Sequence, residues 1–430
     1  RAWVNATGLG GYGFQFHLPG GMAVLSGSGG SVTLSASVVA KPDASILTDG
    51  RIAPATLTQL ANGSIAVGNA FNLARSGTLD AAFPLAGSLH FLGFSLTGSY
   101  VVRIQSPDLF AQAPRLSLDV NSTLTVLGQA LTGTFSFENT GTETILRANN
   151  VAFQLGAGGN RVLSVQNGSG VFVLLDSGLA GTLTLDFHLG PAISGISLSA
   201  TGLSLTLNTS SGAVPVIGGT TVNVPAGPYF RVSGTGTVGL TDPEASLSGG
   251  FVFEPRDADA NPANGYEEVA VAVAGLSFSF TDGTSPLLRV TEGTGAFVFR
   301  GSGLVGRFSA QASLAVPGLS LMGGFEVGLN NTSVAYNQTV LVNGTTVTVD
   351  VPAGPFLRVS GSGAALTVQG IELSGNFVFE RRQTTTGGEW VVTVAASDLS
   401  LRMGGTVSNL LTVTGGSGAF VVTSAGLAGA

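Results

Sequence analysis

The chain has no cysteine and a single lysine, Lys41, in 430 residues. Without cysteine there are no disulfides, no thiolate metal ligands and no thiol nucleophile. Charged residues make up 10% of the sequence, against roughly 25% in an ordinary soluble domain, so Ser, Thr, Asn and Gly must supply the polar surface. The net charge is −7 and the arginines are scattered, whereas a nucleic-acid partner needs clustered Lys and Arg. That class is excluded. No apolar run approaches the ~18 residues of a membrane-spanning helix. An outer-membrane barrel alternates over ~10 residues per strand, but its aromatic girdles find no counterpart in two Trp and five Tyr. The first residues, Arg1-Ala-Trp-Val-Asn5, lack the basic start and apolar core of a signal peptide. The last, Gly426-Leu-Ala-Gly-Ala430, stop midway through a phrase that runs further elsewhere, as expected of a segment from a longer repeat array.

What the chain does have is glycine and alternation. Gly accounts for 65 residues without a Gly-X-Y period, which rules out collagen. In Ile371-Glu-Leu-Ser-Gly-Asn-Phe-Val-Phe-Glu380 every second residue is apolar or glycine, the period of a strand with one buried face. The phrase recurs at Leu131-Thr-Gly-Thr-Phe-Ser-Phe-Glu138 and Leu247-Ser-Gly-Gly-Phe-Val-Phe-Glu254. The chain is therefore read as a tandem repeat: a partial or diverged copy over 1–115, copies over 116–229 and 230–355, and a truncated copy over 356–430. Residues 41–75 lose the alternation and are expected to form a loop or a short helix.

Three further phrases constrain the architecture. Val224-Pro-Ala-Gly-Pro228 recurs as Val351-Pro-Ala-Gly-Pro355, and its prolines cannot donate to a ladder, so it links strands. Just before it, Leu341-Val-Asn-Gly-Thr-Thr-Val347 is a type I′ hairpin signal, with Ile217-Gly-Gly-Thr-Thr-Val222 as its sister. In Val165-Gln-Asn-Gly-Ser-Gly-Val-Phe172, Val290-Thr-Glu-Gly-Thr-Gly-Ala-Phe297 and Val413-Thr-Gly-Gly-Ser-Gly-Ala-Phe420 the apolar face switches from one parity to the other across Gly-x-Gly. A strand changes face only by accommodating an extra residue, so a bulge with glycine in the left-handed region is expected in each copy. The fold class is all-β: tandem repeats of long, Gly-kinked, mainly antiparallel strands forming an elongated sandwich-like rod, with a β-solenoid as the alternative.

One stretch has the spacing of a metal loop. Asp257, Asp259, Asn261 and Glu268 stand at positions one, three, five and twelve, as in a helix–loop–helix calcium site. They are the candidate Ca2+ ligands. Position six is Pro262 where a tight turn wants glycine, and the simpler alternative is a solvated hairpin tip. Gly8-Leu-Gly-Gly-Tyr-Gly13 matches the dinucleotide fingerprint by letter, but it leads into a strand and offers no helix N-terminus. His17, His90 and His188 are far apart in sequence, and no nucleophile elbow, zinc-protease or phosphate-loop motif is present, so no enzyme is expected. Asn-x-Ser/Thr sequons at Asn5, Asn62, Asn121, Asn167, Asn208, Asn330, Asn331, Asn337 and Asn343 are attributed to composition.

Phe356-Leu-Arg-Val-Ser-Gly-Ser-Gly363, the phrase ending at Glu380, and Gly418-Ala-Phe-Val-Val422 resemble the tandem repeats of giant bacterial surface or secreted proteins of the adhesin-like kind. The resemblance covers most of 116–430 and, more weakly, 1–115. It carries over no site residues; it implies export, great length and a scaffold role. The expected function is an extracellular structural repeat protein whose partner is itself, in a surface fibre, filament or matrix. The alternative is an adhesin segment that binds carbohydrate or a cell surface through its loops, with Ca2+ as a candidate aid. A polysaccharide-active β-solenoid enzyme is a third class and needs carboxylates clustered on one strand face.

Overall fold

Alternating apolar and small polar residues, rich in Val, Phe and Thr, favour the extended backbone, and the chain folds almost wholly as strands. The computed structural model describes residues 2–18, 21–91, 94–107, 115–139, 143–157, 160–190, 192–258, 266–384, 388–404 and 409–429. Two compact units are present: Arg1–Leu124 with Thr132–Ala148 and Val173–Asp176, and Thr125–Leu131 with Asn149–Phe172 and Ser177–Ala430.

The first unit opens with β1 (Ala2–Thr7), β2 (Tyr12–Leu18), β3 (Gly21–Gly27) and β4 (Ser31–Pro42). The stretch that lost its alternation is an insert: a 3-10 turn at Ala44–Ile46, the short strands β5 (Leu47–Thr48) and β6 (Arg51–Ile52), and helices α1 (Pro54–Ala61) and α2 (Val67–Ala70). Two long strands follow, β7 (Phe71–Phe91) and β8 (Phe94–Ser106). β4 lies between β1 and β7, and β7 continues to β8. Next come β9 (Arg115–Val126), β10 (Gln129–Asn139), β11 (Thr144–Ala157) and β12 (Asn160–Leu175).

All later strands belong to the second unit. In order they are β13 (Gly178–Leu189), β14 (Ile196–Asn208), the hairpin β15 (Val214–Ile217) and β16 (Thr220–Val224), β17 (Tyr229–Thr241) and β18 (Glu244–Arg256). Then come β19 (Glu268–Thr281), β20 (Pro286–Arg300), β21 (Gly303–Leu314), β22 (Leu319–Met322) and β23 (Phe325–Asn330). A second hairpin, β24 (Tyr336–Val342) and β25 (Thr345–Val351), precedes β26 (Phe356–Val368) and β27 (Ile371–Gln383). The last are β28 (Trp390–Gly404), β29 (Asn409–Thr423) and β30 (Gly426–Gly429).

These strands form one antiparallel meander, broken only by the two hairpins, which stand apart as two-stranded sheets. β14 pairs with β17, and β23 pairs with β26, so the ladder runs without a gap through the copy boundaries at 229/230 and 355/356. A β-solenoid stacks its coils in parallel; every pairing among the described residues is antiparallel, which removes that alternative. The sheet is not closed into a barrel. It curls, and β28 comes to pack against β19 and β20.

The inner face is lined by the recurring phenylalanines. Phe251, Phe253, Phe297, Phe299, Phe377 and Phe379 are all buried, with edge-on pairs such as Phe297–Phe308 at 5.5 Å. On polar faces, hydroxyls meet across strands, as at Thr237–Ser248 (2.8 Å) and Ser204–Ser233 (3.1 Å). The arginines that read as scattered have cross-strand partners: the recurring phrase-final glutamates pair as Glu138–Arg147, Glu254–Arg231 and Glu380–Arg358.

The expected bends are present, with one correction. The left-handed residue is Asn167, Glu292 or Gly415 (φ 56°, 55° and 70°), one position before the Gly-x-Gly rather than within it. The register of β20 against β21 shifts there, between Thr291 and Thr294. The two glycines serve a different need, close approach. A Cβ on Gly170 would run into the Thr182 carbonyl, and one on Gly295 into that of Arg307. Gly170→Val is therefore expected to cost about 3 kcal/mol through overpacking, while Glu292→Gly, which relieves a strained φ, stays within about 1 kcal/mol of the parent. Denaturant titration of the two variants checks this; equal midpoints would remove close approach from the account.

Candidate functional site

The feature that rises above the sheet is the hairpin β24–β25. Asn343 and Gly344 (φ 50° and 72°) form its type I′ tip, as the sequence leads one to expect, and Gly218 and Gly219 (φ 55° and 80°) do so in β15–β16. One face of β24–β25, comprising Tyr336, Val340, Val342, Val349 and Val351, packs onto Ala270, Ala296, Val298 and Val305 of the sheet. Alanines in the floor let the hairpin backbone come close. The shorter hairpin β15–β16 lies in the same way against β13.

Each hairpin is held at its root by a buried asparagine. Asn330 donates from Nδ2 to the carbonyls of Val334 (2.8 Å) and Pro352 (2.7 Å). Its Oδ1 accepts from the backbone N–H and hydroxyl of Thr332, both at 2.8 Å. Asn208 repeats the arrangement with Gly212, Pro225 and Ser210. All the polar capacity of the amide is used, which is the condition for burying it without penalty. The Pro-Ala-Gly-Pro phrase is the return leg of this device. Gly354 N–H donates to the Thr332 carbonyl (2.8 Å), and a side chain on Gly354 would strike the Asn330 carbonyl. Two of the nine sequons are thus structural pins, and they were missed as composition. The signal was there: each ends the strand that precedes a hairpin closed by Pro-Ala-Gly-Pro, Asn208 the end of β14 and Asn330 the end of β23.

A polar cluster fastens β24–β25 along one side. The Glu268 side chain, 5% exposed, meets Arg256 through Oε2 and Arg300 through Oε1 (3.2 Å), and accepts from the Tyr336 hydroxyl (3.0 Å). Arg256 also reaches Gln338 (3.0 Å), and Arg300 stacks on the Tyr336 ring at 5.1 Å. Burial, followed by the neighbouring Glu268 charge, pushes the Tyr336 phenol well above its ordinary value, so it stays a donor. At the tip, Asn343 N–H donates to Glu254 Oε1 (2.9 Å).

These contacts bear on the calcium candidates. Asp259 and Asn261 lie outside the described residues. Asp257 follows the end of β18, and Glu268 is engaged by two guanidiniums and a phenol. Among the described residues no group of three or more His, Asp or Glu is placed to hold a metal ion. His17, His90 and His188 fall on β2, β7 and β13, and their side chains lie outside what is described.

Beside the hairpin runs a crevice of about 710 Å³. Its floor is Gly234, Gly250, Gly295, Ala272 and Ala274, its wall is the tip segment 345–348, and its charged lining groups are Arg307 and Glu326, paired at 2.6 Å. Hydroxyls of Ser233, Thr294 and Ser309 and apolar side chains such as Phe251 and Phe308 line the rest.

No protein-family model, curated protein or solved structure matches the chain.

Truncating the pin orphans several buried polar groups at once, so Asn330→Ala is expected to cost about 2–4 kcal/mol, against under about 0.5 kcal/mol for the exposed Asn337→Ala. Hydrogen exchange should show amide protection lost first across 336–351 in Asn330→Ala. Uniform loss over the whole unit would mean that the pin does not act on the hairpin.

Proposed function

We propose that this chain is an extracellular structural repeat protein, a scaffold segment of a surface fibre, filament or matrix. The observation that carries the reading is the ladder that continues from copy to copy through β14–β17 and β23–β26. Copies joined by backbone hydrogen bonds behave as one quasi-one-dimensional body, each stabilised by its neighbours. Side chains reinforce the coupling across the curl. Arg381 of β27 stacks on Trp390 at 3.9 Å and reaches back to the Thr281 carbonyl (2.9 Å) and Glu244 (2.8 Å). Tyr266 likewise donates to the Leu127 carbonyl at 2.6 Å. A surface of hydroxyls and few charges suits a load-bearing array better than a reaction centre.

Two measurements test the reading. Negative-stain electron microscopy should show rods or filaments; discrete compact particles would sink the scaffold. Calorimetry with calcium first chelated and then restored should give the same unfolding temperature. A rise of several degrees with calcium would favour the adhesin alternative, in which loops bind carbohydrate or a surface with the help of the ion.

A further inference from the structure

The hairpin β24–β25 covers only part of the outer face of the sheet, and the part beside it is a polar groove. Thr294 shares its strand face with Ala296 and Val298, which the hairpin buries, but Thr294 itself is exposed. From it a row of residues crosses the sheet, each directly opposite the next: Thr294, Ser309, Glu326 and Ser360, on β20, β21, β23 and β26. Two crevices meet on this row, the one of about 710 Å³ at the hairpin tip and another of about 690 Å³ that reaches Asn376 on β27. Thr294, Ser309 and Glu326 line both, so the two make one groove running across the strands.

Spacing, charge and the state of the backbone select what such a groove holds. Neighbouring strands lie about 4.8 Å apart, so the row offers a hydroxyl or carboxylate at close to the length of one ring in an extended glycan. Its groups suit sugar hydroxyls, which both give and take hydrogen bonds. Ser309 Oγ donates to the Thr294 carbonyl (3.2 Å) and keeps its lone pairs as acceptors. Glu326 meets Arg307 through Oε2 (2.6 Å), and its Oε1 has no partner among the described residues. The carboxylates of Glu292 and Glu326 face a single guanidinium, Arg307, that is already paired, which disfavours an anionic polymer. β20, β21, β23 and β26 each pair on both sides, so none of them has an edge open to take a peptide by its backbone. Toward β18 the floor is Gly250, Ala272, Ala274 and Gly295, a low apolar surface for the C–H face of a sugar ring.

We infer that this groove binds a neutral polysaccharide, laid across β20, β21, β23 and β26 with its hydroxyls on the row from Thr294 to Ser360. The site is built on the sheet and uses no metal ion, unlike the adhesin alternative, in which loops and calcium do the binding. It adds a ligand to the scaffold reading without depending on it, since a single chain carries the whole groove.

Affinity gel electrophoresis of the full chain tests the groove with neutral polysaccharides (xylan, mannan, laminarin, hydroxyethylcellulose) and with acidic polygalacturonate. At least one neutral polymer should retard the chain, equally with calcium and with chelator, and polygalacturonate should not. In titration calorimetry, a hexasaccharide of the retarding polymer should bind about tenfold or more tightly than its disaccharide, because only the longer one spans the row. Glu326→Gln removes a charged acceptor and Ser309→Tyr fills the groove, both at exposed positions; circular dichroism confirms that each stays folded. Each should weaken binding about tenfold or more, while Thr339→Ala, on the outer side of the hairpin, leaves it unchanged. No retardation by any neutral polymer, retardation that chelation abolishes, or binding that neither groove variant weakens overturns the inference. All three leave the scaffold reading to stand or fall on the microscopy.

Discussion

The structure depends on strands passing one another more closely than side chains permit. At Gly170 and Gly295 the neighbouring backbone lies where a Cβ would be, and the residue just before each Gly-x-Gly takes a left-handed conformation that lets the strand change face. The price is local strain at Asn167 and Glu292, which are not glycine. What it gives is curvature: β28 folds back onto β19 and β20, and the phenylalanines of successive copies share one interior. A flat sheet of such strands would leave that face wet.

Curling solves only half of the burial problem, because the outer face of β19–β21 is also apolar. The hairpin is the answer to that second face. It is an excursion of about twenty residues between two paired strands, and an excursion of that length would wander unless tied at its root. Asn330 and Asn208 tie it, each turning a chain reversal into four hydrogen bonds. Bend, hairpin and pin are therefore three consequences of one requirement, that a two-sided apolar sheet be covered on both sides.

Much of this was legible in the sequence and some was not, for definite reasons. Period two placed Phe377 and Phe379 inside, the parity switch located the bulges, and Asn343-Gly344 gave the hairpin, because each is a local rule of backbone or pleat. The left-handed residue was misplaced by one position, since glycine is the usual occupant and here close approach, not φ, selects it. The pins stayed hidden because Asn-x-Ser/Thr is common in a chain rich in Ser and Thr; only its place at the end of the strand before the hairpin sets Asn330 apart from Asn337. Spacing alone made Glu268 a candidate cation ligand. It could not show that Arg300 and Tyr336, 32 and 68 residues away, come to Glu268 through the sheet.

The Glu268 cluster also marks where the copies differ. At the aligned position in β28 stands Val391, buried and apolar, so the polar fastening is not required by the fold itself. A buried carboxylate with two guanidiniums contributes little net stability against an apolar replacement, but losing one partner is costly. That asymmetry is useful in an array. Alanine and valine faces recur and would accept any hairpin of the right shape, whereas Tyr336 and Gln338 satisfy only the copy that carries Arg256, Glu268 and Arg300. Apolar packing makes the hairpin stick; the charged cluster decides which copy it sticks to.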